Sequence, residues 1–435
     1  MRFLTFLNTY LLGALLPPLL LFAGIYFYAR LRLFPLLHPL RTLKRLGGGR
    51  GSGSSLRALT LALAGTLGVG NITGVAVALR FGGAGAVFWL WVGGLAAAIL
   101  KYAEIALSLD ARRSATESRG AIDYIRPSLG RGAGGLFALL SLLLSLSMGS
   151  LLQGNVITEG ITPVLPVLPL SVGLTLAAVT LLLFLGGRPW VERLTVILIP
   201  LLTLLYVAAA TSVIIVNITS LPSVFARILR EAFSFKSVGA GLGGIGIARA
   251  MRAGIGKGLF SNEAGVGTAP FAHGAAAVAS PARQGVLGLV EVFVDTLLMC
   301  SLTALAVLCV FDPIPSLPPT SLVSVAFGTA LGGIAPGFLA VAILCFAYAT
   351  VACWVSYGQT ALSHLCRRPL ARAVYALVFC ALLAVGSLLP ADGVWELCDA
   401  VIAAMALLNM AALLKNAERI HRVTEEAGLI LIKRS

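Results

Sequence analysis

The sequence predicts an all-α polytopic membrane protein of about 11 transmembrane helices, with two inverted five-helix repeats and discontinuous second and seventh helices. Three observations predict it. Of the 435 residues, 58% are hydrophobic and 11% charged, and apolar runs of about 20 residues, enough to cross a bilayer's hydrocarbon, recur along the chain. Lys and Arg gather in alternate connections between those runs. Two runs lying five spans apart are interrupted at their middles by glycines and small polar residues.

The runs fall roughly at 8–30, 57–80, 84–108, 132–157, 167–186, 191–217, 237–253, 285–311, 330–357, 371–389 and 394–415. The first continues from Leu11–Tyr28 into "ARLRLF" without a small-residue cleavage site, so it reads as a first transmembrane helix and not a signal peptide. With the next loop cytoplasmic, Arg30 to Arg57, Arg112 to Arg131, Arg188 and Arg193, Arg252 to Arg283, and Arg367 to Arg372 all fall inside, leaving outside only Arg2, Arg80, Arg227, Arg230 and Lys236. The amino terminus is therefore expected outside and the carboxyl terminus in the cytoplasm. The chain divides into a first helix and basic loop (1–56), a first five-helix repeat (57–217), an outer amphipathic connector (218–236), a second, inverted repeat (237–415) and a cytoplasmic tail (416–435). The net charge of +15 is scattered between apolar runs, which points to a lipid bilayer and away from nucleic acid. All seven cysteines lie beyond residue 299 without CxxC spacing, so neither a metal site nor a disulfide framework is expected.

The second span carries "LAGTLGVGNITGVAVAL" from Leu63 to Leu79, and the seventh reads "SVGAGLGGIGIARAM". Such glycines can serve close helix packing. Backbone groups released in hydrocarbon, however, need a partner or a wet cavity, and a ligand can be that partner. A half-helix starting near Asn71 offers N–H groups and a positive dipole end to a carboxylate, while carbonyls ending the preceding half-helix suit a small hard cation. Two such clusters at matching repeat positions favour the central site of a secondary transporter.

The strings "GTLGVGNITGVAVAL", "GGAGAVFWLW", "KYAE", "LFSNEAGVGTAPFAH", "RQGVLGLVEVFVDT" and "FAYATVACW", in this order from about residue 57 to 410, resemble the landmarks of the alanine or glycine:cation symporter family. The resemblance implies a leucine-transporter-type fold. It also implies sodium-coupled symport of small neutral amino acids across the plasma membrane by alternating access, in a bacterial or archaeal inner membrane. Sodium would be the coupling ion, with no other cofactor. Carbonyls of Ala64, Leu67 and Ala347 and the Thr350 hydroxyl would face it, an all-oxygen set suited to a hard cation. The substrate carboxylate would meet backbone amides at Gly70, Asn71 and Ile72, and its side chain would meet Trp354 and Leu242, beside Gly243. Gln153 and Asn155, in "SLLQGNVITEG", would meet substrate or tie the unwound helix, although an intramembrane amide is equally often interhelical glue. The chain departs from the family pattern at Val69, Leu242, Gly246 and Gln359, changes that backbone ligation survives but side-chain selectivity need not. A proton-coupled carrier and a channel remain alternatives. An enzyme does not, because no HExxH, GxSxG or paired His and Asp is present.

Charges inside spans need partners. Lys101 and Glu104 share a helix face and are expected to neutralise each other. Glu291 and Asp295 share another and repel when both are ionised, so one holds a proton, takes a base from elsewhere or faces water. Glu263 is expected to have a structural or gating role. "PSVFARILREAF" places Val224, Phe225, Ile228, Leu229 and Phe233 opposite Arg227, Arg230 and Glu231, an amphipathic surface helix. The histidines show no metal-like or triad-like neighbours, and the Asn217-Ile-Thr219 glycosylation pattern carries little weight, since intramembrane Asn71-Ile-Thr73 matches it too.

Overall fold

The structure is a computed structural model that describes residues 10, 14–39, 52–112, 120–234, 245–274 and 280–430, and among these every regular element is helical. In chain order the main helices are α1 (Leu16–Arg30), α2 (Ser52–Thr66), α3 (Val75–Gly82), α4 (Gly85–Arg112), α5 (Arg131–Leu146), α6 (Leu152–Ile161), α7 (Pro169–Leu182) and α8 (Arg188–Val216). They continue with α9 (Leu221–Ala232), α10 (Ile245–Asn262), α11 (Pro281–Val292), α12 (Ser301–Val310), α13 (Pro319–Leu331), α14 (Ala335–Leu365), α15 (Pro369–Gly386), α16 (Ala391–Lys415) and α17 (Ala417–Glu426). Proline occupies the first turn of α1, α7, α9, α11, α13, α14 and α15, where its missing N–H costs no helical bond.

Among the described residues eight helices are long and apolar enough to cross a membrane, or nine when the bent pair 58–66 and 70–82 is one span. Wider, π-type turns join α2 to α3 (Gly70–Gly74), α5 to α6 (Ser147–Leu151) and α11 to α12 (Phe293–Cys300). The seventh span differs from expectation. Its Gly-rich start, including Leu242 and Gly243, lies outside the described residues, and α10 runs on to Asn262 instead of ending at 253. Glycines do not break α10 because they are packing surfaces: a Cβ on Gly254 would come within 2.2 Å of the Ala86 carbonyl oxygen on α4.

Burial grades across the bundle. Within an 18-residue window, 72% of α4 is buried against 22% of the segment containing α7, whose Leu170, Leu174 and Leu182 are exposed as a lipid face requires. The amphipathic α9 also departs from the sequence reading. Its buried face holds Val224, Arg227, Ile228 and Ala232, while Phe225, Leu229 and Phe233 are exposed. Arg227 turns inward because it donates to the carbonyls of Leu308 (3.4 Å) and Phe311 (3.0 Å), closing the end of α12, and pairs with Asp312 at 2.8 Å.

Candidate functional site

The break in the second span lies at the centre of a buried polar cluster. The helix axis turns by 46° between Ala58–Thr66 and Gly70–Gly82. The Leu67 N–H still reaches the Leu63 carbonyl (2.6 Å), but the Gly68 N–H is met by the Asn71 Oδ1 (3.0 Å), a side chain standing in for a lost helical acceptor. Asn71 Nδ2 in turn donates to the Asp295 carboxylate (2.7 Å) and carbonyl (3.0 Å) in the π-type turn between α11 and α12. Ser261 at the end of α10 donates to both Asp295 oxygens at 3.0 Å, and Thr296 donates to Oδ2 at 2.8 Å. The carboxylate thus gathers three helices around one bend.

Glycine is required there by close approach. A Cβ on Gly70 would come within 2.9 Å of the Ser261 Cα, and one on Gly68 within 2.7 Å of the Thr350 hydroxyl. Thr350, on α14, donates to the Phe346 carbonyl of its own helix (3.1 Å) and sits 3.5 Å from the Gly65 carbonyl. Ala347 lies one turn earlier on α14. The Gly65 carbonyl of α2 and the Thr350 hydroxyl of α14 therefore meet beside the break, both uncharged oxygens. Among the described residues no group of three or more His, Cys, Asp or Glu could hold a metal ion.

Ala64, Leu67, Gly70, Asn71, Ile72, Gln153, Asn155, Ala347, Thr350 and Trp354 are all buried. The structure brings the break and Thr350 together. Trp354 packs over Gly149, where a Cβ would fall 2.3 Å from the tryptophan Cβ, and meets Tyr357 edge-on at 5.3 Å. One turn past Gly149, Gln153 donates to the Met148 carbonyl (2.9 Å); among the described residues its Oε1 and the Trp354 Nε1 have no hydrogen-bond partner. Asn155 points elsewhere, donating to the Gly386 and Leu389 carbonyls (3.3 and 2.7 Å) at the end of α15, so it ties two helices together there.

The pairing of Lys101 with Glu104 is corrected. Lys101 donates to Glu291 (2.6 Å) and to the Asn262 carbonyl (2.7 Å), whereas Glu104 accepts from the Asn409 amide (2.7 Å) and the Gly267 N–H (3.1 Å). Side chains three apart on one helix are neighbours, but buried charges are settled by what the other helices bring, here a carboxylate for Lys101 and two neutral donors to one oxygen of Glu104. Glu291 is the carboxylate of its pair that takes a base from elsewhere. It also accepts from Thr66 (3.2 Å) and lies 3.2 Å from His273, so that histidine does have a carboxylate neighbour. Sequence reasoning gave no role to Ser261, Thr296 or Trp395; "SNEAG" singled out the right segment but drew attention to Glu263. Trp395 packs on Phe260 (4.6 Å) and lies in ordinary contact distance of a Cβ on Gly74.

A model of the sodium:alanine symporter family matches residues 1–426. Over 370 residues the chain is 34% identical to the amino-acid carrier protein AlsT of Bacillus subtilis (strain 168), covering 83% of this chain and 78% of that one. Over 428 residues it is 31% identical to the sodium/alanine symporter AgcS of Methanococcus maripaludis, covering 94% and 92%. A crystal structure of a mutant manganese transporter of Eremococcus coleocola shares the fold, with a TM-score of 0.58 at 17% identity over 84% of this chain and 80% of that one.

Proposed function

The chain belongs to the sodium:alanine symporter family, and from that premise we propose that it is a sodium-coupled symporter of small neutral amino acids working by alternating access. Family membership makes it a multi-pass membrane transporter and not an enzyme. The observation that carries the finer reading is the bent second span with the Thr350 hydroxyl beside its Gly65 carbonyl. Sodium sits among the carbonyls of Ala64, Leu67 and Ala347 and that hydroxyl, and the substrate carboxylate lies against the amides of Gly70 to Ile72, at the positive end of α3. The Asn71 side chain is consumed in bracing the break, so its part in binding is through its backbone N–H, whose long bond to the Gly68 carbonyl (3.3 Å) a substrate carboxylate would replace. Gln153 Oε1 and Trp354 Nε1, buried without partners among the described residues, supply an acceptor and a donor that an amino acid would satisfy. Leu242 and Gly243, outside the described residues, are proposed as further pocket residues on the resemblance alone.

The eleven spans form two inverted five-helix repeats around this site, with the amino terminus outside and the tail in the cytoplasm of a bacterial or archaeal inner membrane. Uptake of a panel of labelled amino acids by reconstituted protein, with and without a sodium gradient, tests the reading. Saturable uptake of alanine or glycine that requires sodium supports it; uptake that a proton gradient alone drives equally well supports the second reading. That second reading, proton coupling, rests on Glu291, a buried carboxylate bonded both to Thr66 of the broken helix and to Lys101.

A further inference from the structure

His273 closes the short helix Ala269–His273 that follows the end of α10, and it is fully buried. One ring nitrogen, Nε2, lies 3.2 Å from Glu291 Oε2; the other, Nδ1, lies 3.0 Å from the Nε2 of Gln284 on the first turn of α11. The second Glu291 oxygen accepts from Lys101 of α4 (2.6 Å) and from Thr66 at the end of α2 (3.2 Å). One carboxylate thus holds α2, α4 and the short helix together. Tyr102, beside Lys101, lies 2.9 Å from where a Cβ on Gly285 would stand and bonds Thr424 of α17 at 2.8 Å, so this end of α11 is the end that carries the tail. The short helix packs on α2, α4 and α14. Among the described side chains α2 brings no titratable group, α4 brings Lys101, Tyr102, Glu104 and Arg112, and α14 brings Cys353 and Tyr357, the latter stacked on Phe271 at 5.4 Å. Glu263 and Asp295 complete the charged surroundings of Glu291.

The Gln284 amide sets which proton states the ring can take. An amide N–H only donates, so an Nδ1 facing Gln284 Nε2 carries no hydrogen, and the one hydrogen of a neutral ring sits on Nε2 and is donated to Glu291. Gln284 Oε1 is buried and has no hydrogen-bond partner among the described residues. A half-turn of the amide brings that oxygen to the ring and exchanges one hydrogen bond for another. Oε1 then accepts from an Nδ1–H, so the same two neighbours hold the imidazolium as well as the neutral ring. The added proton comes from cytoplasmic water and takes the Nδ1 lone pair, leaving Nε2–H in place. Protonation turns the Nε2–H bond to Glu291 into a buried ion pair and ties the short helix more firmly to the carboxylate that Thr66 and Lys101 share.

We propose that His273 is a proton site on the cytoplasmic side that acts as a latch: the imidazolium holds the short helix to Glu291 and, through Thr66, to the inner half of the broken span, and so slows the opening that releases substrate inward. The latch rests on the reading of the chain as a carrier and the proton site does not; neither needs a proton gradient, which separates both from proton coupling. Nitrogen NMR of the purified, isotope-labelled protein between about pH 5 and 8 reads the ring directly, with His273→Gln identifying its signals among the four histidines. The Nε2–H tautomer should stand at the alkaline end and the imidazolium at the acid end. An Nδ1–H tautomer, or a ring that never titrates, overturns the proton site. In vesicles held at the same pH on both faces, sodium-driven uptake should fall about tenfold one pH unit below the ring's midpoint, where roughly nine-tenths of the rings carry the proton. His273→Gln can keep both hydrogen bonds with no proton to gain, so it should lose that fall. Gln284→Glu offers Nδ1–H a carboxylate and should move the midpoints of the ring and of uptake upward together by about one unit or more. The same acid fall in His273→Gln, or a ring midpoint that moves in Gln284→Glu while that of uptake stays, overturns the latch. A titrating ring in a protein without sodium-driven uptake would remove the carrier reading and the latch with it, and keep the proton site.

Discussion

Replacing Asn71 with leucine removes the brace of the break while keeping its bulk. In the structure that side chain satisfies the Gly68 N–H and supplies one hydrogen bond to the Asp295 carboxylate. An orphaned buried N–H costs roughly 1–3 kcal/mol and a lost bond to a charged group about 1.5–3 kcal/mol, so Asn71→Leu should destabilise the fold by about 3–5 kcal/mol. Ser261 and Thr296 continue to hold Asp295, which keeps the loss from being larger. Denaturant unfolding of the purified protein in detergent measures it, and a cycle with Asp295→Leu isolates the pair, whose coupling should reach about 1.5–3 kcal/mol. Additivity of the two single variants to within about 0.5 kcal/mol would refute the brace. So would unchanged stability with uptake abolished, which would return the Asn71 side chain to direct substrate contact.

Gly70→Ala drives a methyl into the Ser261 backbone and should cost about 1–3 kcal/mol with loss of uptake, whereas Gly256→Ala, whose Cβ meets nothing, should stay within about 0.5 kcal/mol by the same unfolding assay. Lys101→Met strands Glu291 and should cost about 3–5 kcal/mol, and the double variant Lys101→Met with Glu291→Leu should regain much of it; a double variant worse than the single would contradict the pairing. In right-side-out vesicles an impermeant thiol reagent should label Val164→Cys and spare Glu426→Cys, both exposed positions, and the reverse result would invert the topology.

What the sequence made legible follows from local chemistry. Glycines between Leu63 and Leu79 marked the bend because a helix weakened there needs outside partners, whereas Thr350 was singled out only by the family resemblance of its "AYAT" string. The partners of buried charges were not legible. Asp295 is 224 positions from Asn71 and Glu291 is 190 from Lys101; apolar periodicity tells which face a helix buries but not which helix it meets. The same limit ended the seventh span too early, since glycines that weaken an isolated helix stabilise α10 once Ala86 and Leu90 of α4 lie against them. Trp395 was hidden for a related reason: its importance comes from contact with Phe260 and Lys257, and a lone aromatic in an apolar run carries no such mark.

The central claim is that sodium binds where the broken second span meets Thr350, and Thr350→Val tests it most directly because it keeps shape and removes one oxygen. The sodium concentration for half-maximal uptake should rise by about tenfold, equivalent to about 1.4 kcal/mol, with little change in maximal rate at saturating sodium. An unchanged sodium dependence in the variant, or full uptake by the unmodified protein with a proton gradient and no sodium, would contradict the account.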